Sequence, residues 1–237
     1  MLEIYVCGAG GVGKSTFIAK FLERCKTNGG YVVGGERKIS MNMDTINVIQ
    51  EVARRILNEK GITRSEQLND KMLMWQLQGW IIKRQMQEAL QNNKPVLIGD
   101  RSILDPMVYG LQMFKEKFEA TMYSYFMKGD EIQENDYTRF CKWLILPFTD
   151  CHEDFKQIIE ILSKYRNAIF VLVHPRPNQV VCNQYDPLRY PMCSEELEEF
   201  TNIYQKVLNN LRIPFINIIN PDLERRLDMF EDALIQK

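Results

Sequence analysis

Nine residues near the start of the chain, GAGGVGKST at positions 8–16, limit what the rest can fold into. They satisfy the pattern G-x-x-x-x-G-K-[ST] at each fixed position, with Gly8, Gly13, Lys14 and Ser15 in the required places. The pattern has a mechanical basis. Glycine adopts backbone conformations closed to other residues and brings no Cβ, so Gly8, Gly10, Gly11 and Gly13 allow the N–H groups of the loop, through Val12 and on to Thr16, to close around a phosphate chain. A helix following Gly13 turns the positive end of its dipole to the same phosphates, and Lys14 reaches the β and γ oxygens. Ser15 supplies a hydroxyl for Mg²⁺. A glycine-rich turn with no ligand is the plainer alternative, but the context the motif demands is present: an apolar strand at Leu2–Cys7 and a helix over residues 15–25. The stretch is expected to bind ATP with Mg²⁺.

The chain has 237 residues, 45% of them apolar and 26% charged, as in soluble globular proteins with ample material for a core. Lys and Arg number 30 against 31 acidic residues, a balance that gives no support for nucleic acid or an anionic membrane surface as a partner, a local basic patch aside. No secretory signal is visible in MLEIYV, and no uncharged apolar run approaches the roughly 18 residues of a spanning helix, so a cytoplasmic location is expected. The six cysteines lack CxxC spacing and read as reduced, partly buried thiols. Neither Cys151 beside His152 nor His174 with Cys182 and Cys193 matches a metal-ligand spacing.

Strand and helix patterns alternate along the chain. Within residues 31–44, treated as an insertion, YVV reads as a short strand and GGERKISMNMD as an exposed, mobile connection; residues 45–49 (TINVI) read as the second strand, and residues 51–60 as a helix stopped by Gly61. One long helix is predicted over 66–92, a buried strand over 95–100, helical spacing over 103–128 and a short helix over 135–146 ended by Pro147. A helix through Phe155, Ile158, Ile159 and Leu162 precedes a strand at 168–174. Residues 175–193 hold four prolines and little periodicity, so they form a long loop of the kind that usually carries function. Ser194 looks like the cap of a regular amphipathic helix, 214–219 is the last strand, and Asn220-Pro221 opens a final helix. This is an α/β arrangement: a parallel sheet of about five strands with helices on both faces and the ligand at the carboxyl ends of the strands.

Asp100 closes a hydrophobic strand, where a carboxylate can hold Mg²⁺ directly or through water. In hydrolytic ATPases the next residue is typically a water-activating glutamate; here it is Arg101, which turns the expectation toward transfer onto another acceptor. A surface turn is the alternative for the pair. Asn217 and Asn220-Pro221-Asp222 follow the last strand without the lysine of N-K-x-D, so guanine specificity is unsupported.

Taken together, GAGGVGKST, QEVARRILNEKGITR at 50–64 and PVLIGDRSILDPMVYG at 95–110 resemble the AAA-like P-loop family. That family includes the ribosylnicotinamide kinase domain of bacterial NAD-biosynthesis regulators, and eukaryotic nucleotide-binding members with trafficking roles. The Asp-Arg-Ser element is similar to the acidic-Arg-Ser motif of deoxynucleoside kinases and to the Asp-Arg of thymidylate kinases, and YDPLRY at 185–190 to the lid-like segment of the family. The resemblance implies a P-loop NTPase fold, nucleoside-kinase-like, in a single domain over 1–237, with an insertion at about 26–44 and a lid-like loop at about 175–193.

It further implies that Glu51 acts as general base near the acceptor, with a dipole-stabilised carboxylate at a helix start as the alternative. Arg54 would lie one turn on, facing the acceptor or Asp100. Arg101 would orient the transferred phosphoryl, and Arg189, with Arg176, would close over it; a solvated loop accounts equally well for those two. The expected catalytic set is thus Lys14, Glu51, Asp100, Arg101 and Arg189, with Ser15 and Asp100 toward the metal. The expected reaction moves the γ-phosphoryl of Mg-ATP to a hydroxyl of a small, nucleoside-like acceptor. The alternative is a nucleotide-dependent switch, with ATP or GTP ordering the insertion and the 175–193 loop for a protein partner. A polynucleotide 5′-kinase is the third reading, opposed by the neutral net charge.

Overall fold

The apolar runs become the middle of a parallel sheet in the computed structural model, which describes residues 1–34, 37–41, 43–128, 137–149, 152–179 and 191–236. Strand β1 (Leu2–Cys7) is followed by helix α1 (Lys14–Thr27), which leads to a short hairpin of β2 (Tyr31–Gly34) and β3 (Arg37–Ser40). Strand β4 (Ile46–Ile49) then precedes α2 (Val52–Lys60), which ends at a left-handed Gly61. Helices α3 (Arg64–Asn69) and α4 (Lys71–Leu90) lead to β5 (Val96–Asp100) and α5 (Leu104–Met113). After α6 (Ala120–Lys128), α7 (Tyr137–Ile145) and α8 (His152–Tyr165) come β6 (Ile169–Val173), α9 (Ser194–Asn210), β7 (Phe215–Ile218) and α10 (Leu223–Gln236).

The five-stranded sheet has the order β4-β5-β1-β6-β7, parallel throughout. Every residue of β5 and β6 is buried, so there is no solvent-facing alternation and helices cover both faces. The earliest strand lies in the centre, with β5 and β4 on one side and β6 and β7 on the other. That reversal of direction opens a crevice at the carboxyl ends of β1, β5 and β6, where Val6 pairs with Asp100 and Cys7 with Leu172.

Helix boundaries differ from the periodic reading where capping residues interrupt an apolar stripe. The helix expected over 66–92 is two: Thr63 and Glu66 form a reciprocal capping box at the start of α3, and Asp70 accepts the Leu73 N–H (2.8 Å) to start α4 afresh. The run at 103–128 is broken at Phe114, whose backbone leaves the helical region, and resumes where Glu119 accepts the N–H groups of Thr121 and Met122. Cys193, not Ser194, is the cap residue of α9, its N–H donating to Glu196 (2.8 Å). At α10 the capping oxygen belongs to Asp222, which accepts from the Arg225 N–H (2.9 Å), not to Asn220.

The short strand expected at YVV is β2, whereas residues 37–41 depart from the exposed connection expected. Strands β2 and β3 pair antiparallel and pack beside α10, and Met41 is fully buried with its N–H on the Gly30 carbonyl (2.6 Å). On the other flank, Trp75 of α4 stacks on Phe148 (4.7 Å) and meets Phe114 edge-on. Gly110 permits this contact, because a Cβ there would sit 2.5 Å from the Phe148 ring. The aromatic cluster fixes α4 against α5 and so sets the width of the crevice between them. Among the described residues no helix is long and apolar enough to cross a membrane.

Candidate functional site

The loop between β1 and α1 is held in shape from several directions. Gly8 stands at φ +133°, and a Cβ there would come 2.5 Å from the Val173 carbonyl oxygen, so both conformation and space demand glycine. Helix α1 starts from Gly13 in the left-handed region with no side-chain cap, which leaves the first-turn amides facing the loop interior. Three distant residues pin the loop backbone. Arg226 of α10 donates to the Val12 carbonyl (3.1 Å), to that of His174 (3.2 Å) and to that of Asn220. Gln179 donates to the Gly11 carbonyl (2.7 Å), and the Gly10 N–H donates to the Tyr109 hydroxyl (2.9 Å). Tyr109 falls within the 95–110 stretch, but neither motif nor periodicity assigns any of these three side chains a contact with the loop.

Lys14 lies within the loop, its ammonium donating to the carbonyls of Gly8 (2.9 Å) and Ala9 (2.7 Å). Burial, and then the neighbouring Arg101 charge, pull its pKa down to about 8. Ser15 donates to Asp100 Oδ2 at 2.5 Å, across from the first turn of α1 to the end of β5. The other carboxylate oxygen, Asp100 Oδ1, is buried without a hydrogen-bond partner among the described residues. A hydroxyl and an orphaned carboxylate oxygen at a phosphate loop are hard donors of the kind Mg²⁺ takes while keeping its other positions for water and phosphate. The described residues contain no group of three or more His, Cys, Asp and Glu side chains arranged for a metal. By the chemistry of its two oxygens the Ser15–Asp100 pair fits Mg²⁺.

Arg101 follows at a positive φ of 84°, rare for a residue with a side chain and costing about 1–3 kcal/mol. Its N–H still extends the sheet, donating to the Val6 carbonyl (3.0 Å), while the guanidinium is buried beside the loop. It donates to Glu51 Oε1 through Nη2 (2.9 Å) and Nε (3.2 Å) and lies 3.6 Å from Asp105 Oδ1. Burial opposes its charge, but the Glu51 carboxylate, foremost among the neighbours, overcomes that and raises the pKa. Glu51 makes no capping bond at the start of α2, so its role as a helix-start carboxylate is not a hydrogen-bonded one; besides Arg101 it approaches Arg54 (3.5 Å). Asp105 is fully buried and held by Ser102 N–H (2.8 Å) and the Tyr204 hydroxyl (2.9 Å), and its burial raises its pKa.

These groups line the mouth of a pocket between α2, α4 and α5. Leu57, Met74, Leu77 and Ile81 form apolar walls, Gln67 and Gln78 are buried polar positions, and Tyr109 stands between the pocket and the loop. A few placed polar groups on an apolar concavity are what a small-molecule site requires. Of the residues singled out in the sequence, Glu51, Arg54 and Arg101 line this pocket, and Lys14, Ser15 and Asp100 stand at the phosphate loop beside it. Arg176 lies on the loop after β6, where its N–H donates to Gln179 Oε1 (2.8 Å). Arg189 and most of the lid-like loop lie outside the described residues.

The sequence model of the AAA domain family matches residues 3–226. The chain belongs to that family. Among solved structures, this AAA-domain chain is similar to deoxyadenosine kinase from M. mycoides. The form with products dCMP and a flexible dCDP bound is 15% identical, with a TM-score of 0.50 over 100% of each chain. The form with bound dATP is 14% identical, with a TM-score of 0.51 over 98% of this chain and 99% of that one. At such identities the likeness is one of fold: a P-loop NTPase whose parallel sheet is flanked by helices. A sequence comparison with curated proteins gave no match.

Proposed function

We propose that the chain is a small-molecule kinase that moves the γ-phosphoryl of ATP to a hydroxyl of a nucleoside-like acceptor. One observation carries this reading: the Glu51–Arg101 pair stands at the junction of the phosphate loop and a largely apolar pocket, with a cation where a hydrolase places its water-activating carboxylate. Lys14 holds the β and γ oxygens, and Glu51 takes the proton from the acceptor hydroxyl as it attacks. Arg101 steadies the charge on the phosphoryl in flight, and the apolar walls keep water from competing. When bound through Ser15 and Asp100, Mg²⁺ supplies further charge neutralisation at the phosphates. The family match and the shared fold support a nucleotide site; the pocket supports an acceptor other than water.

The test is ADP release with Mg-ATP, first with water alone and then with nucleosides, nucleoside monophosphates and nicotinamide riboside. An acceptor-dependent rise that Lys14→Ala abolishes is expected. A flat response with tight nucleotide binding would replace the kinase by a nucleotide-dependent switch.

A further inference from the structure

Gly10 is the phosphate-loop residue that lines the acceptor pocket, at the place where donor and acceptor meet. In a phosphoryl transfer that place belongs to the terminal phosphoryl group, since only this group is handed over. The Gly10 N–H is already engaged: it donates to the Tyr109 hydroxyl at 2.9 Å. Tyr109 has few ways to move without consequence. Its ring packs on Phe200 of α9 (centroids 4.5 Å), faces the Arg101 guanidinium at 5.7 Å and forms part of the pocket wall. Its hydroxyl reaches the Met192 sulfur (4.0 Å), just before α9.

We propose that Tyr109 is the residue by which the site distinguishes a nucleoside triphosphate from a diphosphate, its hydroxyl competing with a terminal phosphoryl oxygen for the Gly10 N–H. A charged phosphoryl oxygen is a stronger acceptor than a phenol, so the exchange proceeds, but the triphosphate gives up the Gly10–Tyr109 bond to bind. A diphosphate leaves that bond in place. Release of the hydroxyl frees the ring that walls the acceptor pocket and abuts α9. The pocket therefore takes its working shape only when there is a phosphoryl group to transfer. Tyr109 acts here as a positioning and specificity residue. The inference rests on the phosphate loop as donor site and not on the identity of the acceptor.

The experiment is calorimetric titration of the wild-type chain and Tyr109→Phe with Mg-AMP-PNP and Mg-ADP. The phenylalanine keeps the ring and removes the competitor. It should bind AMP-PNP about fivefold more tightly, the effect of one ordinary hydrogen bond, with ADP affinity changed by less than about twofold. An unchanged AMP-PNP to ADP ratio, or an equal shift in both, overturns the proposal. Selective weakening of AMP-PNP overturns it too, since the hydroxyl would then be donating to the phosphoryl. Ligand-free melting checks the fold, and Tyr109→Met is titrated in the same way if the phenylalanine form does not fold. A wild-type chain that binds neither nucleotide sinks the donor site along with this proposal. A flat acceptor panel with the expected ratios intact sinks only the kinase reading.

Discussion

Replacing Lys14 with methionine should make the chain more stable near neutral pH and remove a specific part of its pH dependence. The Lys14 ammonium is buried, and its pKa falls from 10.5 to about 8, chiefly through burial and next through Arg101. At about 1.4 kcal/mol per unit, the charged form is disfavoured by about 3 kcal/mol relative to the unfolded chain. The folded-state pKa lies below the unfolded one, so between about 8 and 10.5 the unfolded chain binds the extra proton and stability rises with pH. Below pH 8 the full penalty is present; above 10.5 it has vanished. Lys14→Met lacks the titration altogether. Its advantage over wild type near pH 7 is reduced by the lost bonds to the Gly8 and Ala9 carbonyls, but the change in that advantage across the window belongs to the ammonium alone. Urea unfolding of both proteins at about pH 7 and about pH 10 measures it, with the gap expected to move by about 2.5 kcal/mol in favour of wild type. A gap that stays constant would refute the reasoning, because the ammonium would then be as well solvated in the fold as out of it.

Gly8→Ala should lower stability by more than about 2 kcal/mol in urea unfolding, since a Cβ at φ +133° meets the Val173 carbonyl at 2.5 Å; a loss under about 0.5 kcal/mol would show that the loop yields. Asp100→Asn should lower the Mg²⁺-dependent gain in AMP-PNP affinity at least tenfold while leaving metal-free ADP binding near wild type. Equal metal dependence in both would remove Asp100 from the metal's surroundings. Tyr204→Phe strips two buried bonds, to Asp105 (2.9 Å) and Ser102 (3.0 Å), and should destabilise the fold by about 1–3 kcal/mol; a neutral result would mean that Asp105 finds another donor.

The central strands were legible in the sequence because a strand buried on both faces has nowhere to place polar residues: VLIGD and IFVLV are continuous apolar runs, and burial follows from that. The phosphate loop was legible because its glycines answer a local steric demand. Helix ends were harder. Thr63 and Asp70 interrupt what periodicity reads as one helix, since the apolar stripe continues across the break while the backbone hydrogen bonds do not. YVV was legible as a short strand, but its partner β3 was read as an exposed connection because α10, on which the hairpin packs, comes nearly two hundred residues later. The same distance hid half the site. Tyr109, Gln179 and Arg226 contact the loop across 99, 168 and 214 residues, and no local pattern encodes such meetings. A trace of signal existed in Arg226, a charged residue between the apolar positions Leu223 and Leu227 of an amphipathic helix.

Arg226 also sets an order of assembly. The GAGGVGKST stretch leaves a ribosome well before α10, and the guanidinium that joins its backbone to the ends of β6 and β7 is made 214 residues after Val12. Closing so long a loop makes this contact a late folding event. A loop made long before α10 is completed only when α10 docks, so nucleotide capture at the proposed site would serve as a readout of that docking.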